Sequence, residues 1–278
     1  LTDAVYQGQA HDPLTSAHRA RRFGWWYFAE HYLRQMRRYG WPLLLSDIGQ
    51  PLLYLIAMGI GLGALVDANA GTVEGVSYLV FVAPALLVSI SVQSSATEMT
   101  YPVMAGFKWQ RFYYAPAGGP LAPWQIALGH TIAVSFRFAL QAVITTTLMW
   151  TFAYPLAATW PLLLVIGPLA GLAFGVPLQA YSATVKGEGT EFSTVQRFIV
   201  MPLFLFSGTF YPLAVMPSYL QGIGWISPIW HGAELARAAA YGKDIGATMI
   251  VVHAAFLLAC IALGIALAAR TYRKRLTS

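Results

Sequence analysis

His130, Arg137, Gln141 and Thr145 recur at steps of seven, four and four inside an apolar run over residues 126–152. In an α-helix that spacing puts them on one stripe. An arginine with long apolar stretches on both sides is costly in a bilayer, so it has to face a counter-charge or a water-filled space. Two other apolar runs supply candidates. Asp47 and Gln50 stand near the start of the run 42–66. Ser91, Ser94, Ser95 and Glu98 follow an i, i+3, i+4, i+7 pattern along and just past the run 76–96, with Gln93 on a neighbouring face. The set Asp47, Gln93, Glu98, His130, Arg137, Gln141 and Thr145 therefore has two physical readings. It is a buried network in which Arg137 joins Glu98 or Asp47, or it is the wall of a translocation path.

A second group with chemical potential is a short basic stretch between apolar runs, carrying Lys108, Trp109, Arg111, Phe112, Tyr113 and Tyr114. A charged, aromatic-flanked segment of this kind suits docking of a soluble partner, although lysine and arginine there would also serve merely to fix topology. The enzymatic signatures are missing. No glycine-rich loop ends in Gly-Lys-Ser/Thr, so a recognisable P-loop ATPase is excluded. The six histidines show no metal-ligand spacing, no serine sits in a Gly-x-Ser-x-Gly elbow, and the lone Cys260 excludes an intrachain disulfide. No catalytic residue and no metal site are assigned. The last three apolar runs do not duplicate the first three, which weighs against a secondary transporter built from repeats.

The elements that must position these groups are membrane helices. Of 278 residues, 57% are hydrophobic and 10% charged, against about 25% charged in soluble globular chains. The expected fold is an all-α integral membrane protein with six transmembrane helices, over 42–66, 76–96, 126–152, 160–181, 198–213 and 245–269. The start of the chain lacks a secretory-signal pattern, so the first span is expected to act as the insertion signal. Residues 1–41 read as a cytoplasmic N-terminus with an amphipathic interfacial helix, because Trp25, Ala29, Tyr32, Met36 and Tyr39 recur at three- and four-residue steps opposite Glu30, Arg34, Arg37 and Arg38. Residues 42–278 read as one six-span domain.

Basic residues cluster before the first run, after the second (Lys108, Arg111), after the fourth (Lys186, Arg197) and after the sixth (Arg270, Arg273, Lys274, Arg275), while the opposite loops hold only Arg237 and Lys243. Both termini are therefore expected in the cytoplasm of a multi-pass inner or plasma-membrane protein. The fifth run is short for a crossing. The stretch after it is too apolar for a loop and too interrupted for one span, so short re-entrant helices in the outer leaflet are expected between spans five and six. Ser207, Tyr211, Trp230, His231 and Glu234 fall in this region.

Two sequence signatures point to a family. One is Gln110-Arg111 followed by Pro120-Leu121-Ala122-Pro123-Trp124-Gln125-Ile126-Ala127-Leu128-Gly129. The other is Pro202-Leu203-Phe204-Leu205-Phe206-Ser207-Gly208-Thr209-Phe210-Tyr211-Pro212, then Pro217, then Ser227-Pro228-Ile229-Trp230-His231-Gly232-Ala233-Glu234-Leu235-Ala236-Arg237. In these the chain resembles permeases of the type-2 ABC transporter family, particularly nodulation-type lipooligosaccharide exporters, and more distantly daunorubicin-resistance and polysaccharide export permeases. The resemblance implies a half-transporter. Two six-span subunits, alike or different, would flank a pathway, with two separate ATPase subunits beneath that hold ATP and Mg; this chain would bind no cofactor and no nucleic acid.

The segment around Lys108–Tyr114 would be the main coupling helix, and residues 186–196, with Lys186 and Glu188, the smaller contact. Gly118-Gly119 and the aromatic run Phe112-Tyr113-Tyr114 depart from the family pattern and put the length of that helix in question. The expected function is export of an amphiphile: a glycolipid, a lipid-linked glycan or a hydrophobic drug. The rival readings are a membrane-embedded enzyme using Arg137 and Glu98 on a lipid, and a proton-coupled transporter with Glu98 as carrier.

Overall fold

The computed structural model describes residues 13–38, 40–152 and 156–277. Residues 1–12, with His11, and also Tyr39 and Tyr154, lie outside the described residues. Among the described residues the only β-type pairing is a single bridge between Val73 and Val76; the rest of the regular structure is helical. In chain order the helices are α1 (Pro13–Arg38), α2 (Gly40–Asn69), α3 (Tyr78–Phe107), α4 (Pro123–Phe152), α5 (Trp160–Ser182), α6 (residues 190–206), α7 (Ser218–Trp225), α8 (Pro228–Tyr241) and α9 (Ala247–Leu276). Five of them, α2, α3, α4, α5 and α9, are long and apolar enough to cross a membrane.

The expected fifth span at 198–213 is placed differently. Its helix, α6, starts at Thr190 and stops at Phe206, so it has 17 residues, or roughly 25 Å against a hydrocarbon core of about 30 Å. The stop has a local cause. Ser207 leaves helical geometry, Gly208 takes φ +74°, and Pro212 follows, a sequence that cannot continue a helix. Composition ran on past this point; the backbone does not. Beyond it the interrupted apolar stretch forms the two short helices α7 and α8.

The core is built around α3, which is 78% buried over its most apolar window, whereas the outer helices α2 and α9 are only 24% and 17% buried. Small residues set these approaches. Gly167, Gly171 and Gly175 of α5 lie against Leu87, Ser91 and Ser95 of α3, and Gly264 of α9 lies against the backbone of Pro177. The glycine steps thus serve packing within the chain, as such steps do between membrane helices. Two prolines interrupt regular hydrogen bonding where the site is built. Pro51 precedes a π-helical stretch, Leu55–Leu62, in α2. Pro102 has no N–H for the Glu98 carbonyl, and α3 breaks at Met99 and Thr100.

α1 packs along α4 through Phe28, Ala29 and Tyr32, which are buried, while Arg34, Arg37 and Arg38 are exposed. It also carries a second apolar face, with Phe23, Trp26 and Tyr27 each about 40% exposed. The helix is kinked at Phe23 (φ −117°, ψ 16°).

A Cβ at position 264 would sit 2.6 Å from Pro177 N, a backbone atom that cannot move aside alone. Gly264→Ala is therefore expected to destabilise the protein by about 1–3 kcal/mol, as overpacked sites do. Gly40→Ala, which meets nothing within 4 Å, is expected to leave thermal unfolding in detergent unchanged.

Candidate functional site: ionic nodes and a basic end

Arg137, midway along α4, is joined to both acidic candidates at once. Its Nη2 donates to Asp47 Oδ1 at 3.0 Å and its Nε reaches Asp47 Oδ2 at 3.5 Å, while Nη1 donates to Glu98 Oε1. The three side chains are 10%, 3% and 11% exposed. Gln141, one turn along α4, donates from Nε2 to Asp47 Oδ1 at 3.3 Å and to Ser94 Oγ at 2.8 Å. Gln50 donates to Gln93 Oε1 at 3.4 Å. With two carboxylates facing one guanidinium, the node carries a net negative charge where desolvation is costly. It ties the poorly buried α2 to α3 and α4.

The predicted stripe on α4 does not act as one unit. His130 turns to a different cluster, where its Nδ1 lies 2.9 Å from Tyr113 Oη; Tyr272 Oη donates to Tyr113 Oη at 3.2 Å, and Gln179 Nε2 donates to Tyr272 Oη at 3.2 Å. Thr145 is buried, and its hydroxyl has no partner among the described residues. The serine stripe on α3 divides in the same way. Ser91 and Ser95 bond to their own helix, whereas Ser94 and Glu98 face α4.

The basic stretch is not a helix over 108–114. α3 ends at Phe107, a turn follows, and only Tyr114–Ala117 closes a further helical turn. Arg111 adopts φ +56°, a left-handed conformation that is unfavourable for a side chain other than glycine or asparagine. This turn folds the chain back so that Tyr113 lies directly on Gly106, where any Cβ would strike the ring. Tyr113 is wholly buried, and burial pushes its phenol far above the ordinary tyrosine range. It therefore belongs to the interior and not to a docking surface.

The surface members are different residues. Trp109 is 49% exposed and stacks on Tyr101, Arg111 covers the Tyr114 ring, and Phe112 packs on Tyr32. Lys108 Nζ reaches Gly187 O at 2.9 Å and Glu188 Oε1 at 2.5 Å. Tyr101 also meets Phe192 edge-on. The two basic-end loops are thereby joined. Lys186 stands apart from this contact and lines a separate small cavity with Lys274 and Arg275.

A second ionic node, at the opposite end of the bundle, centres on Glu234, which the sequence reading placed in the re-entrant region without its cationic partners. Arg237, counted there as a loop residue, is completely buried in α8. It donates to Glu234 Oε1 at 3.0 Å, to Gly208 O at 2.6 Å and to Phe81 O at 3.2 Å, and its guanidinium lies 3.8 Å from the Phe81 ring centroid. Lys243 Nζ bridges Glu234 and Glu74, each at 2.8 Å. Burial acts to raise the Glu234 carboxyl, but Arg237 and Lys243 together outweigh it and hold the group below its ordinary value. The available signal was the Glu234-x-x-Arg237 spacing within a run of small apolar residues, which places both on one helical face.

Around this node Ser207 Oγ donates to Ser227 Oγ at 2.7 Å, and Ser227 caps α8. Tyr211 Oη donates to Leu205 O at 3.1 Å. Trp230 packs on His231 and His253. The two histidines meet Nδ1 to Nδ1 at 2.8 Å, with His231 Nε2 3.0 Å from Trp225 O. Among the described residues no group of three or more His, Cys, Asp or Glu converges as a metal site would require.

A bundle of apolar helices, with its buried charges paired in internal nodes and most of its cations at one end, defines a multi-pass membrane protein. The ABC-2 type transporter family model matches residues 25–241, and the chain belongs to that family. It is 27% identical to Nodulation protein J of Neorhizobium galegae, over 84% of this chain and 87% of that protein. To Nodulation protein J of Rhizobium meliloti (strain 1021) it is 26% identical, over 73% of this chain and 75% of the other. The inner membrane transport permease YadH of Escherichia coli (strain K12) is 26% identical, over 64% of this chain and 69% of its own length.

Because Arg137 is the cationic partner of both carboxylates, its loss strands both. Arg137→Ala is expected to cost about 3–5 kcal/mol. Glu98→Gln, which removes the surplus negative charge and keeps one ion pair, is expected to cost far less. The triple variant Arg137→Ala with Asp47→Asn and Glu98→Gln should recover most of the loss. Thermal unfolding of the four proteins in one detergent checks this order, and equal stability of Arg137→Ala and wild type would show that the node does not hold α2 in place.

Proposed function

We propose that this chain is the membrane subunit of an ATP-driven ABC exporter, working as two permease subunits, identical or related, above two separate ATPase subunits that hold ATP and Mg. In this reading residues 42–278 form the transmembrane domain with six crossings, α6 being the short one. α7 and α8 re-enter the outer leaflet, and α1 lies in the cytoplasmic interface. The basic end faces the cytoplasm with both termini, in an inner or plasma membrane, as the distribution of lysine and arginine favours.

The observation that carries the proposal is the union of two loops at the basic end. Lys108 holds Gly187 and Glu188, and Tyr101 stacks on Trp109 and meets Phe192 edge-on. A force applied by a soluble partner to either loop would reach both. Lys108, Trp109, Arg111, Phe112, Tyr114 and Glu188 form the contact, while Tyr113 anchors the turn from within. The cargo in this reading is an amphiphile, as the resemblance to lipooligosaccharide exporters implies, and the relative named as an inner membrane transport permease supports the transport role. The rival reading, an enzyme binding a lipid phosphate through Arg137, is disfavoured because both arms of that guanidinium already meet carboxylates.

Exposed and buried members of the segment are expected to fail differently. Trp109→Ala should reduce co-purification of the ATPase and uncouple its hydrolysis from transport, with the unfolding temperature of the chain nearly unchanged. Tyr113→Ala should lower that temperature. In a Cys260→Ser background, a cysteine at position 108 should react only from the cytoplasm and one at 218 only from outside. Full ATPase association in Trp109→Ala, or labelling of position 108 from outside, would sink the assignment.

A further inference from the structure

Where α5 and α9 end together, a cavity of about 210 Å³ is lined by Ala183, Thr184, Lys186, Thr271, Lys274 and Arg275. Three of its six walls are cationic and none is acidic. Arg275 is the fixed part. Its Nη1 donates to Ala183 O and Val185 O, both at 2.7 Å, and its guanidinium lies over the Phe107 ring. Neither Lys186 nor Lys274 has an ion-pair partner among the described residues. The two threonine hydroxyls donate to nearby backbone carbonyls, Thr184 to Tyr181 O and Thr271 to Leu267 O. The cavity therefore offers a ligand positive charge and little else.

One helical step further into the bundle lies a cavity of different character. A groove of about 620 Å³ runs between α5 and α6, bounded by Phe174, Leu178, Tyr181, Val195, Phe198 and Ile199, with Glu191 and Thr194 along its edge. On α5, residues 174, 178 and 181 form one stripe, and position 184 of the basic cavity lies in the turn just past the helix end at Ser182. Tyr181, 43% exposed, lines the groove, and Ala183 and Thr184 of the basic cavity follow it by two and three residues in the chain. A ligand filling both would have an anionic head beside a long apolar body. Basic pockets between helices at the headgroup level have this chemistry for anionic lipids.

We propose that the basic cavity and the α5–α6 groove together form a site for one anionic phospholipid, its phosphodiester held by Lys186, Lys274 and Arg275 and an acyl chain laid along Phe174, Leu178 and Tyr181. Glu191 is the single acidic side chain lining either cavity, so the balance of charge selects a lipid of net negative charge over a zwitterionic one. The proposal rests on the chain lying in a bilayer with this end at headgroup level. It does not rest on the ATPase reading, and Lys274 belongs to no part of the coupling surface.

The test uses the purified full chain in detergent, with the unfolding temperature and the mass of bound lipid followed as phosphatidylglycerol, phosphatidylethanolamine or inorganic phosphate is added. Phosphatidylglycerol is expected to remain bound in native mass spectra and to raise the unfolding temperature by several degrees, and the other two to do neither. Lys274→Glu should weaken that binding at least tenfold. Thr194→Trp, which fills the groove and leaves every cation in place, should weaken it comparably. Both positions are exposed, and Lys274→Arg, keeping the charge, should bind as wild type does. An equal response to phosphatidylethanolamine would overturn the charge selection, an equal response to inorganic phosphate would overturn the lipid, and undiminished binding in Thr194→Trp or Lys274→Glu would overturn the site.

Discussion

A charge inside an apolar bundle has to be met by other parts of the same chain, and here a single guanidinium meets that requirement for three helices. Arg137 of α4 holds Asp47 of α2 and Glu98 of α3. Apolar packing would hold α3, α4 and α5 together without it. α2 is different, because most of its surface faces away from the bundle, and lipid is as apolar as the leucines it exposes. With little hydrophobic preference for the bundle over the bilayer, the helix depends on directional contacts. The node supplies them at its basic end, and the close fit of Gly59 to Leu79 supplies another farther along.

The same node lies next to the break in α3. Glu98 is the last residue before Met99 and Thr100 leave helical geometry, and Tyr101 is the first residue after it. Tyr101 is also the ring that Trp109 stacks upon and Phe192 abuts. The joined loops of the basic end are therefore three residues from the carboxylate that fixes α2. A break in that position would let the surface move without dragging the whole of α3, whose deeper part is closely packed against the glycine face of α5. Motion transmitted through Tyr101 would bear first on Glu98 and on the α2 contact. In the proposed coupling role, relative movement of α2 against an unmoved core would be the physical route from a partner on the loops to a change in the membrane.

Much of this was legible in the sequence, and the remainder was not, for identifiable reasons. The stripe on α4 and the acidic residues on two other runs were visible because charges among apolar residues are rare and must be paired. Which acid paired with Arg137 was not encoded in spacing along one helix, and the geometry gives both. Arg237 was misplaced because the positive-inside rule reads a cation near an apolar boundary as a loop residue; only the small side chains around it hint that the helix is enclosed. Tyr113 was misassigned because an aromatic beside lysine and arginine suits a surface equally well. Its burial depends on the left-handed turn at Arg111, and no glycine or asparagine marks that position. The end of α6 was overrun because apolar composition continues through Ser207 and Gly208 after the helical hydrogen bonding has ended.

The two misread residues share a physical role. Arg237 uses one side chain to satisfy the carbonyls of Phe81 and Gly208 while pairing with Glu234, so it closes the bend after α6 onto α3 and α8. Tyr113 closes the turn after α3 onto α4 and α9 through His130 and Tyr272. Tyr113 turns inward from an irregular segment and Arg237 reaches one from the regular helix α8, and each meets groups that would otherwise be left unsatisfied or exposed to hydrocarbon. These two side chains thereby help to hold irregular chain at the two ends of the bundle to the rigid core, beside contacts such as Ser89–Thr209 and Ser207–Ser227 at one end. The exposed residues around those points, Trp109 at one end and Tyr219 and Trp225 at the other, remain free to meet a partner or the membrane surface without loosening the helices behind them.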